Sequence, residues 1–369
     1  MDITKIWPDW TITEHIGHGR YGNVYKTISA DIGAVAAVKV ISVPLDPNDI
    51  AKHRRYGKTD DEIRDIVRKQ ADRLIGEIRV MQKFKGITNI VSIEDSALRE
   101  KEDSIGYDIY IRMEFLTPMT QHIAEIFPLT DEDVVKIGCD ICTALEICHK
   151  ETPNKRVIIH RDIKPENILY HELSDAYKLG DFGIARELSD TVSFMTSIGT
   201  PRFYAPEVEA ATVYDHRTDL YSLGLVLYFL RNRERMPFEN LEQLVDNTEI
   251  THAKWIRLHN EKTIPAPVDA SPALAKVILK ACAYNPEDRY ASAADMKEAL
   301  QKALAPSQEI VSQDVGVSSP VRANTTTKRE KGPFSKQNCQ HLPFGWMLTF
   351  LCCGICLEDD KELLLFHDG

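Results

Sequence analysis

Short apolar runs separated by glycine-bearing turns open the chain. Three of them are WTITEHIG from Trp10, NVYKTISA from Asn23 and AVAAVKVI from Ala34. Their β-branched residues and the intervening turns are typical of strands joined by tight hairpins. The pattern predicts an antiparallel meander at the start of the chain.

The period of the apolar positions changes between Thr59 and Phe84, where it becomes helical. Thr59 and Glu62 have the spacing of a capping box, which predicts that a helix begins there. Two further strand-like stretches follow at residues 89–95 and 107–115. Helical patterns then dominate, at residues 131–150, 217–232, 271–284 and 292–304. A β-rich first third followed by helices predicts an α+β protein with two lobes and a cleft between them.

Composition and charge narrow the class of protein. The chain has 369 residues, 43% hydrophobic and 27% charged, which is typical of a soluble globular protein long enough for a sizeable core. Its net charge of −11 argues against a protein that mainly binds nucleic acid. The start, MDITKIWPDW, lacks the pattern of a secretory signal, and scattered cysteines indicate a reducing cytoplasm.

Beyond Ala305 the composition shifts to Ser, Thr, Gln, Val and Lys without a period, which predicts a flexible linker. We therefore divide the chain into an N-terminal extension (1–9), a two-lobed domain (10–305, with lobes 10–116 and 117–305), a linker (306–338) and a hydrophobic tail (339–369).

The stretch GHGRYG places Gly17, Gly19 and Gly22 at the tip of the first predicted hairpin. A dinucleotide-binding loop would need a helix after the glycines, whereas a strand follows here. Glycines at a hairpin tip let backbone N–H groups approach phosphates. A merely flexible hairpin is the alternative.

Lys39 lies inside the apolar run AVAAVKV. A single lysine in such a strand is expected to point to solvent. Glu77, on the predicted helix, is the candidate partner that would instead hold the ammonium group where it can reach two phosphates.

The stretch VIIHRDIKPENILY concentrates charge between two apolar runs. It contains Asp162, suited to accept a proton from a hydroxyl, Lys164, suited to steady a phosphate, and Asn167, suited to hold metal. Asp181 in KLGDFGIAR offers a second metal ligand. These are the groups that phosphoryl transfer requires, and one carboxylate plus one amide suits Mg²⁺, with Mn²⁺ as an alternative.

The order GxGxxGxV, AVK, a helix glutamate, HRDIKPEN, DFG and GTPRFYAPE resembles the eukaryotic-type Ser/Thr protein kinases from about Trp10 to Leu304. A long segment before the helix and the stretch GYDIYIRMEFLTPM resemble bacterial members of the family. The resemblance implies the two-lobed kinase fold, with a small β-rich N-lobe carrying one regulatory helix and a larger helical C-lobe. It also implies ATP-dependent transfer to Ser or Thr hydroxyls of proteins.

The same resemblance implies a role for each matching position. Met113 would be the gatekeeper, and Glu114 to Leu116 the hinge. The residues implied to bind the nucleotide are Gly17, Gly19, Gly22, Val24, Ala37, Lys39, Met113, Glu114 and Leu116. The residues implied to serve catalysis are Lys39, Glu77, Asp162, Lys164 and Thr200, and those implied to hold metal are Asn167 and Asp181.

Bracing and control are implied as well. Glu207 would pair with Arg289, and Asp219 would brace the catalytic loop. Arg161, next to Asp162, implies that a phosphate on the loop between Asp181 and Glu207 switches the protein on. The candidate phosphosites are Thr191, Ser193, Thr196 and Ser197, of which Thr196 and Thr191 are favoured.

Three features depart from the family pattern. Ala36 replaces the first residue of the usual VAIK. The insert at residues 44–62 is either a regulatory or docking element or, as we favour, a longer solvated helix and loop. The third departure is the tail, where residues 337–357 contain no Asp, Glu, Lys or Arg.

The length of this tail segment is close to a membrane span, and the basic residues before it favour attachment with the folded domain in the cytoplasm. The span would involve residues 342–357. A buried or disordered hydrophobic tail is an equal alternative, and lipidation or metal binding at Cys352, Cys353 and Cys356 is another.

Two rival functions remain for comparison. One is a pseudokinase that binds ATP as a scaffold, which the presence of Lys39, Asp162 and Asp181 disfavours. The other is a small-molecule phosphotransferase, which GTPRFYAPEV disfavours because that segment resembles a platform for a protein substrate. Cys139 and Cys142 form a CxxC, but their helical spacing favours a core position.

Overall fold

The computed structural model describes residues 2–19, 22–151, 157–181, 202–210, 214–240, 247–259 and 263–305. Residues Met1–Ser307 form one compact unit. Its first part is a sheet and its second part is mainly helical, so the predicted α+β fold with two lobes is confirmed.

The N-lobe contains an antiparallel sheet of five strands in the order β1-β2-β3-β5-β4. The first three strands form the predicted meander. The strands are β1 (Trp10–Gly19), β2 (Gly22–Ser29), β3 (Val35–Val43), β4 (Ile93–Glu100) and β5 (Tyr107–Glu114).

The N-terminal extension covers one face of this sheet. Ile3 and Trp7 are buried in one cluster with Val38 and Val40. The indole N–H of Trp7 also donates a hydrogen bond to the carboxylate of Asp95 at 2.7 Å. The folded lobe therefore begins before the first strand.

Helices α1 (Asn48–Arg55) and α2 (Asp60–Gln82) follow β3. No residue of α1 is buried, which agrees with the reading of the insert as a solvated helix and loop. The predicted capping box is present, because the Thr59 hydroxyl accepts from the backbone N–H of Glu62 and the Glu62 carboxylate accepts from that of Thr59. The face of α2 buried against the sheet consists of Ile63, Val67, Ala71, Leu74, Ile78 and Met81.

The C-lobe is built around helices, and hydroxyl side chains cap the N-termini of three of them. Thr130, Ser271 and Ser292 each accept a backbone N–H bond from the first turn of the helix that follows. The helices are α3 (Met119–Glu125), α4 (Asp131–His149), α5 (Pro206–Glu209), α6 (Arg217–Arg231), α7 (Asn247–His259), α8 (Pro272–Ala281) and α9 (Ala293–Ala303). A small sheet of β6 (Thr117–Pro118), β7 (Ile168–His171) and β8 (Ala176–Leu179) lies beside them.

The strand predicted at residues 89–95 was placed too early, because β4 begins at Ile93 and continues to Glu100. The backbone N–H of Leu179 donates to the carbonyl of Asn89, and that of Val91 donates to the carbonyl of Leu179. These bonds tie the apolar residues before β4 to the C-lobe, which explains their strand-like composition.

The CxxC cysteines lie on α4, where Cys142 is fully buried and Cys139 is half-buried. Cys142 belongs to the main hydrophobic cluster and Cys139 packs against it, so the core position predicted for them is confirmed. This burial raises the pKa of both thiols. Within the described ranges, no helix combines the length and the apolar character that a membrane span requires. The linker and the tail from residue 306 onward lie outside these ranges.

Candidate active site

The β1–β2 hairpin carries the three glycines. Gly17 pairs with Val24 in the sheet register, and Gly19 pairs with Gly22. Gly22 has a φ of 147°, and a Cβ at this position would lie 2.0 Å from the carbonyl oxygen of Val40. A side chain here would meet the backbone of β3, so the close approach of the hairpin to that strand requires glycine.

The register of β2, β3 and β5 brings the other predicted nucleotide residues together. Val24 lies opposite Lys39, and Ala37 lies opposite Met113. Leu116 follows the end of β5 and is buried. Leu116 therefore lies where the N-lobe sheet leads into the C-lobe.

Lys39 is 9% exposed, and its ammonium group forms an ion pair with the carboxylate of Asp181. The partner predicted for this lysine was Glu77, which lies half-buried on α2. In this conformation Asp181 provides the counter-charge that a buried ammonium requires, and the pairing of Lys39 with Glu77 stays a prediction. Asp181 also has a φ of 51°, in the left-handed region. The contact joins the N-lobe to the start of the DFG motif.

Asp162, the predicted base, contacts two other predicted site residues, Lys164 and Asn167. The Lys164 ammonium is 2.9 Å from the Asp162 carboxylate. The side-chain amide of Asn167 donates to the Asp162 carboxylate at 3.0 Å and to its backbone carbonyl at 2.6 Å. Burial opposes the charge on Lys164, but the carboxylate of Asp162 outweighs it and raises the pKa of that ammonium.

Asp219, at the start of α6, braces the catalytic loop as predicted. Its fully buried carboxylate accepts hydrogen bonds from the backbone N–H groups of His160 at 2.8 Å and Arg161 at 2.9 Å. The His149 ring lies 2.9 Å from the same carboxylate. Burial alone would raise the pKa of Asp219, but the His149 hydrogen bond and the other contacts lower it. Arg161 has a φ of 66°, a strained conformation for a long side chain that these bonds hold in place.

The predicted pair between Glu207 and Arg289 is also confirmed. Two guanidinium nitrogens of Arg289 donate to the two carboxylate oxygens of Glu207 at 2.6 and 2.8 Å. The Thr218 hydroxyl donates to the same carboxylate at 2.9 Å. This bidentate pair fixes α5 to the loop before α9.

Sequence reasoning missed a second buried lysine. Lys178 on β8 is 7% exposed, and its ammonium donates to both carboxylate oxygens of Glu114 at 2.9 and 2.8 Å. Glu114 also accepts the backbone N–H of Ser92 at 2.7 Å. The hinge side chain is therefore tied to the C-lobe three residues before Asp181. The signal in the sequence was a lysine within the apolar run AYKL, similar to the setting of Lys39.

Five predicted residues lie outside the described ranges. They are Thr200 and the candidate phosphosites Thr191, Ser193, Thr196 and Ser197.

A two-lobed fold with these groups assembled around Asp162 is the arrangement typical of the protein kinase class. The family described as "Protein kinase domain" matches residues 10–304, and the chain belongs to that family. Family members use ATP and a divalent metal.

Several curated bacterial proteins are similar to this chain. Serine/threonine-protein kinase Pkn1 of Myxococcus xanthus is 34% identical over 307 residues, which cover 80% of this chain and 38% of the relative. Serine/threonine-protein kinase PknB of Mycolicibacterium smegmatis is 35% identical over 220 residues, or 57% of this chain and 32% of the relative. A probable serine/threonine-protein kinase PknB of Lactococcus lactis is 29% identical over 306 residues, or 80% of this chain and 42% of the relative. These matches support the expected resemblance to bacterial Ser/Thr protein kinases, and the chain spans less than half the length of each relative.

Proposed function

We propose that this protein transfers the γ-phosphate of ATP to Ser or Thr hydroxyls of protein substrates. The observation that carries the proposal is the grouping of Lys164 and Asn167 on the carboxylate of Asp162, with Lys39 and Asp181 joined in an ion pair between the lobes. A silent scaffold has no need of a base held by an ammonium on one side and an amide on the other.

The chain's own residues account for the movement of protons and charge. Asp162 accepts the proton of the substrate hydroxyl as its oxygen bonds to the γ-phosphorus, and the β–γ bridging bond breaks to leave ADP. Lys164 stabilises negative charge on the transferring group. Lys39 has the reach of a flexible lysine and binds phosphate oxygens once its ammonium leaves Asp181.

The residues present fit a divalent metal. Asp181 supplies a carboxylate and Asn167 an amide oxygen, since the amide nitrogen of Asn167 is already committed to Asp162. Hard oxygen ligands of this kind, completed by nucleotide phosphates, suit Mg²⁺ better than a cage made only of protein. The bound ion would neutralise charge on the β- and γ-phosphates, and we propose Mg²⁺ with Mn²⁺ as a substitute.

Phosphate transfer from γ-labelled ATP tests the proposal. The full-length chain is incubated with ATP, Mg²⁺ and a library of Ser- and Thr-centred peptides, beside Asp162→Asn. Asp61→Asn is the matched control, because Asp61 is exposed in the first turn of α2. We expect transfer by the wild type and by the control and none by Asp162→Asn. ATP binding without transfer by the wild type would instead support the scaffold alternative.

We further propose that the protein phosphorylates its own loop between Asp181 and Glu207. Mapping phosphosites by mass spectrometry identifies the residue, with Thr196 and Thr191 as the expected positions. A wild-type chain that transfers phosphate to peptides but carries none on this loop would refute this proposal.

Attachment to the cytoplasmic face of the membrane through residues 342–357 is a separate proposal. It is supported by the 21 residues from Gln337 to Leu357 without a charged side chain, preceded by a basic stretch. Fractionation of cells that express the full chain or a version ending at residue 338 tests it. Recovery of both versions in the soluble fraction would refute it.

A further inference from the structure

Three consecutive backbone carbonyl groups just before α5 accept hydrogen bonds from side chains of the C-lobe. Arg257 on α7 donates to the carbonyl of Arg202 through one terminal guanidinium nitrogen and to that of Tyr204 through the other, each at 2.8 Å. Between them, the carbonyl of Phe203 accepts the hydroxyl of Ser222 at 2.8 Å. This backbone is therefore fixed residue by residue.

Arg257 carries its charge into the interior of the C-lobe. The residue is 4% exposed, and it also donates to the hydroxyl of Tyr221 at 2.9 Å. Among the residues that the structure describes, no carboxylate lies within ion-pair distance of it. Carbonyl dipoles and a hydroxyl therefore compensate the charge. An apolar side chain would cost less to bury, but it would leave two carbonyl groups without their donor.

The first turns of α6 connect this backbone to the catalytic loop. Asp219 holds the N–H groups of His160 and Arg161. Two residues later, Tyr221 accepts from Arg257, and the next residue is Ser222. The same stretch of helix thus holds the loop that carries Asp162 and the backbone at residues 202–204.

On the basis of the proposed function, we propose that Arg257 is a positioning residue for the protein substrate. By holding residues 202–204 against α6, it fixes the platform on which a substrate backbone lies at a set distance from Asp162. Arg257 is too buried to touch the substrate, so it acts on the reaction only through that backbone.

Steady-state kinetics on a peptide selected from the Ser/Thr library test this role. In Arg257→Met, we expect kcat/KM for the peptide to fall at least about tenfold, because small displacements of a positioned substrate have large kinetic effects. The Kd for ATP stays within about twofold, since nucleotide binding uses other residues. Arg257→Lys gives an intermediate loss, because one ammonium cannot span two carbonyl groups in the way a guanidinium does.

Arg233→Gln is the matched control. Arg233 is an exposed arginine of the same lobe, and it pairs with Asp269 outside the proposed site. We expect it to have wild-type kinetics. If Arg257→Met does not fold, the lysine variant decides the question.

Hydrogen–deuterium exchange of the backbone amides at residues 202–205 provides a readout that needs no activity. We expect faster exchange in the Arg257 variants and wild-type exchange in Arg233→Gln. If the wild-type protein transfers no phosphate, the proposed function is refuted. The exchange measurement then still tests whether Arg257 fixes the backbone at residues 202–204. Unchanged exchange together with unchanged peptide kcat/KM would overturn the inference. Equal loss of ATP affinity and peptide kcat/KM would overturn it as well, since it would indicate a general structural role.

Discussion

The ion pair between Glu114 and Lys178 gives a prediction whose magnitude follows from its burial. The side chains are 20% and 9% exposed, and the Lys178 ammonium contacts both carboxylate oxygens. Replacing Lys178 with Met removes the ammonium group from the buried carboxylate of Glu114. Of the hydrogen bonds described above for this carboxylate, only the one from the backbone N–H of Ser92 is then left. Breaking a buried pair in this way costs about 3–5 kcal/mol. We therefore expect Lys178→Met to lower the free energy of unfolding by about 3 kcal/mol.

The double variant Glu114→Leu, Lys178→Met behaves differently. It removes both charges and replaces them with apolar side chains of similar size, so it should regain most of the loss, apart from one unsatisfied N–H on Ser92. Urea unfolding of the wild type, both single variants and the double variant measures this as a double-mutant cycle. We expect a coupling energy of at least about 2 kcal/mol. A coupling below about 0.5 kcal/mol would mean that the two groups do not depend on each other, and the reasoning would fail.

Three further predictions concern the catalytic loop, the pair between Glu207 and Arg289, and the glycine hairpin. Asp219→Asn should lower kcat by about a hundredfold, because the amide cannot accept all the bonds of the carboxylate and the loop shifts; an unchanged kcat in peptide kinetics would contradict this. Burial alone would raise the pKa of Glu207, but the bonds from Arg289 outweigh burial and lower the pKa below its ordinary value of 4.5. The pair therefore contributes its full stability above pH 4.5, and this stability is lost as the pH falls through the lowered pKa of the folded protein. In thermal melts at descending pH, the melting temperature of Glu207→Gln should therefore fall less steeply than that of the wild type. Parallel curves of melting temperature against pH would refute this prediction. Gly22→Ala should destabilise the protein by about 2 kcal/mol and weaken ATP binding, since its Cβ would meet the carbonyl of Val40; calorimetry and ATP titration measure both, and wild-type values would refute the clash.

Local patterns predicted the elements of the fold well, because periodicity and capping depend on neighbouring residues. The helix that begins after Thr59 and the meander of β1 to β3 are examples. Motif order also identified Asp219 as the brace of the catalytic loop, and the structure confirms that contact. The error in the start of β4 arose because a run of apolar residues does not reveal whether its partner is the sheet or the other lobe.

Partners of buried charges were harder to predict. Lys39 was assigned to Glu77, whereas the structure shows an ion pair with Asp181, which lies 142 residues away in the chain and which spacing could not indicate. Lys178 and Arg257 were not predicted at all. The acceptor of Lys178 lies 64 residues away in the chain, and those of Arg257 lie 36 to 55 residues away, so neither spacing nor periodicity points to them.

The N-terminal extension has a practical consequence for anyone who prepares the domain alone. The family match starts at residue 10, and a protein cut there would lose Ile3 and Trp7. The apolar side chains of Val38 and Val40 would then face water, and such newly exposed patches promote self-association. The first nine residues therefore belong in any soluble preparation of the domain, even though no motif lies within them.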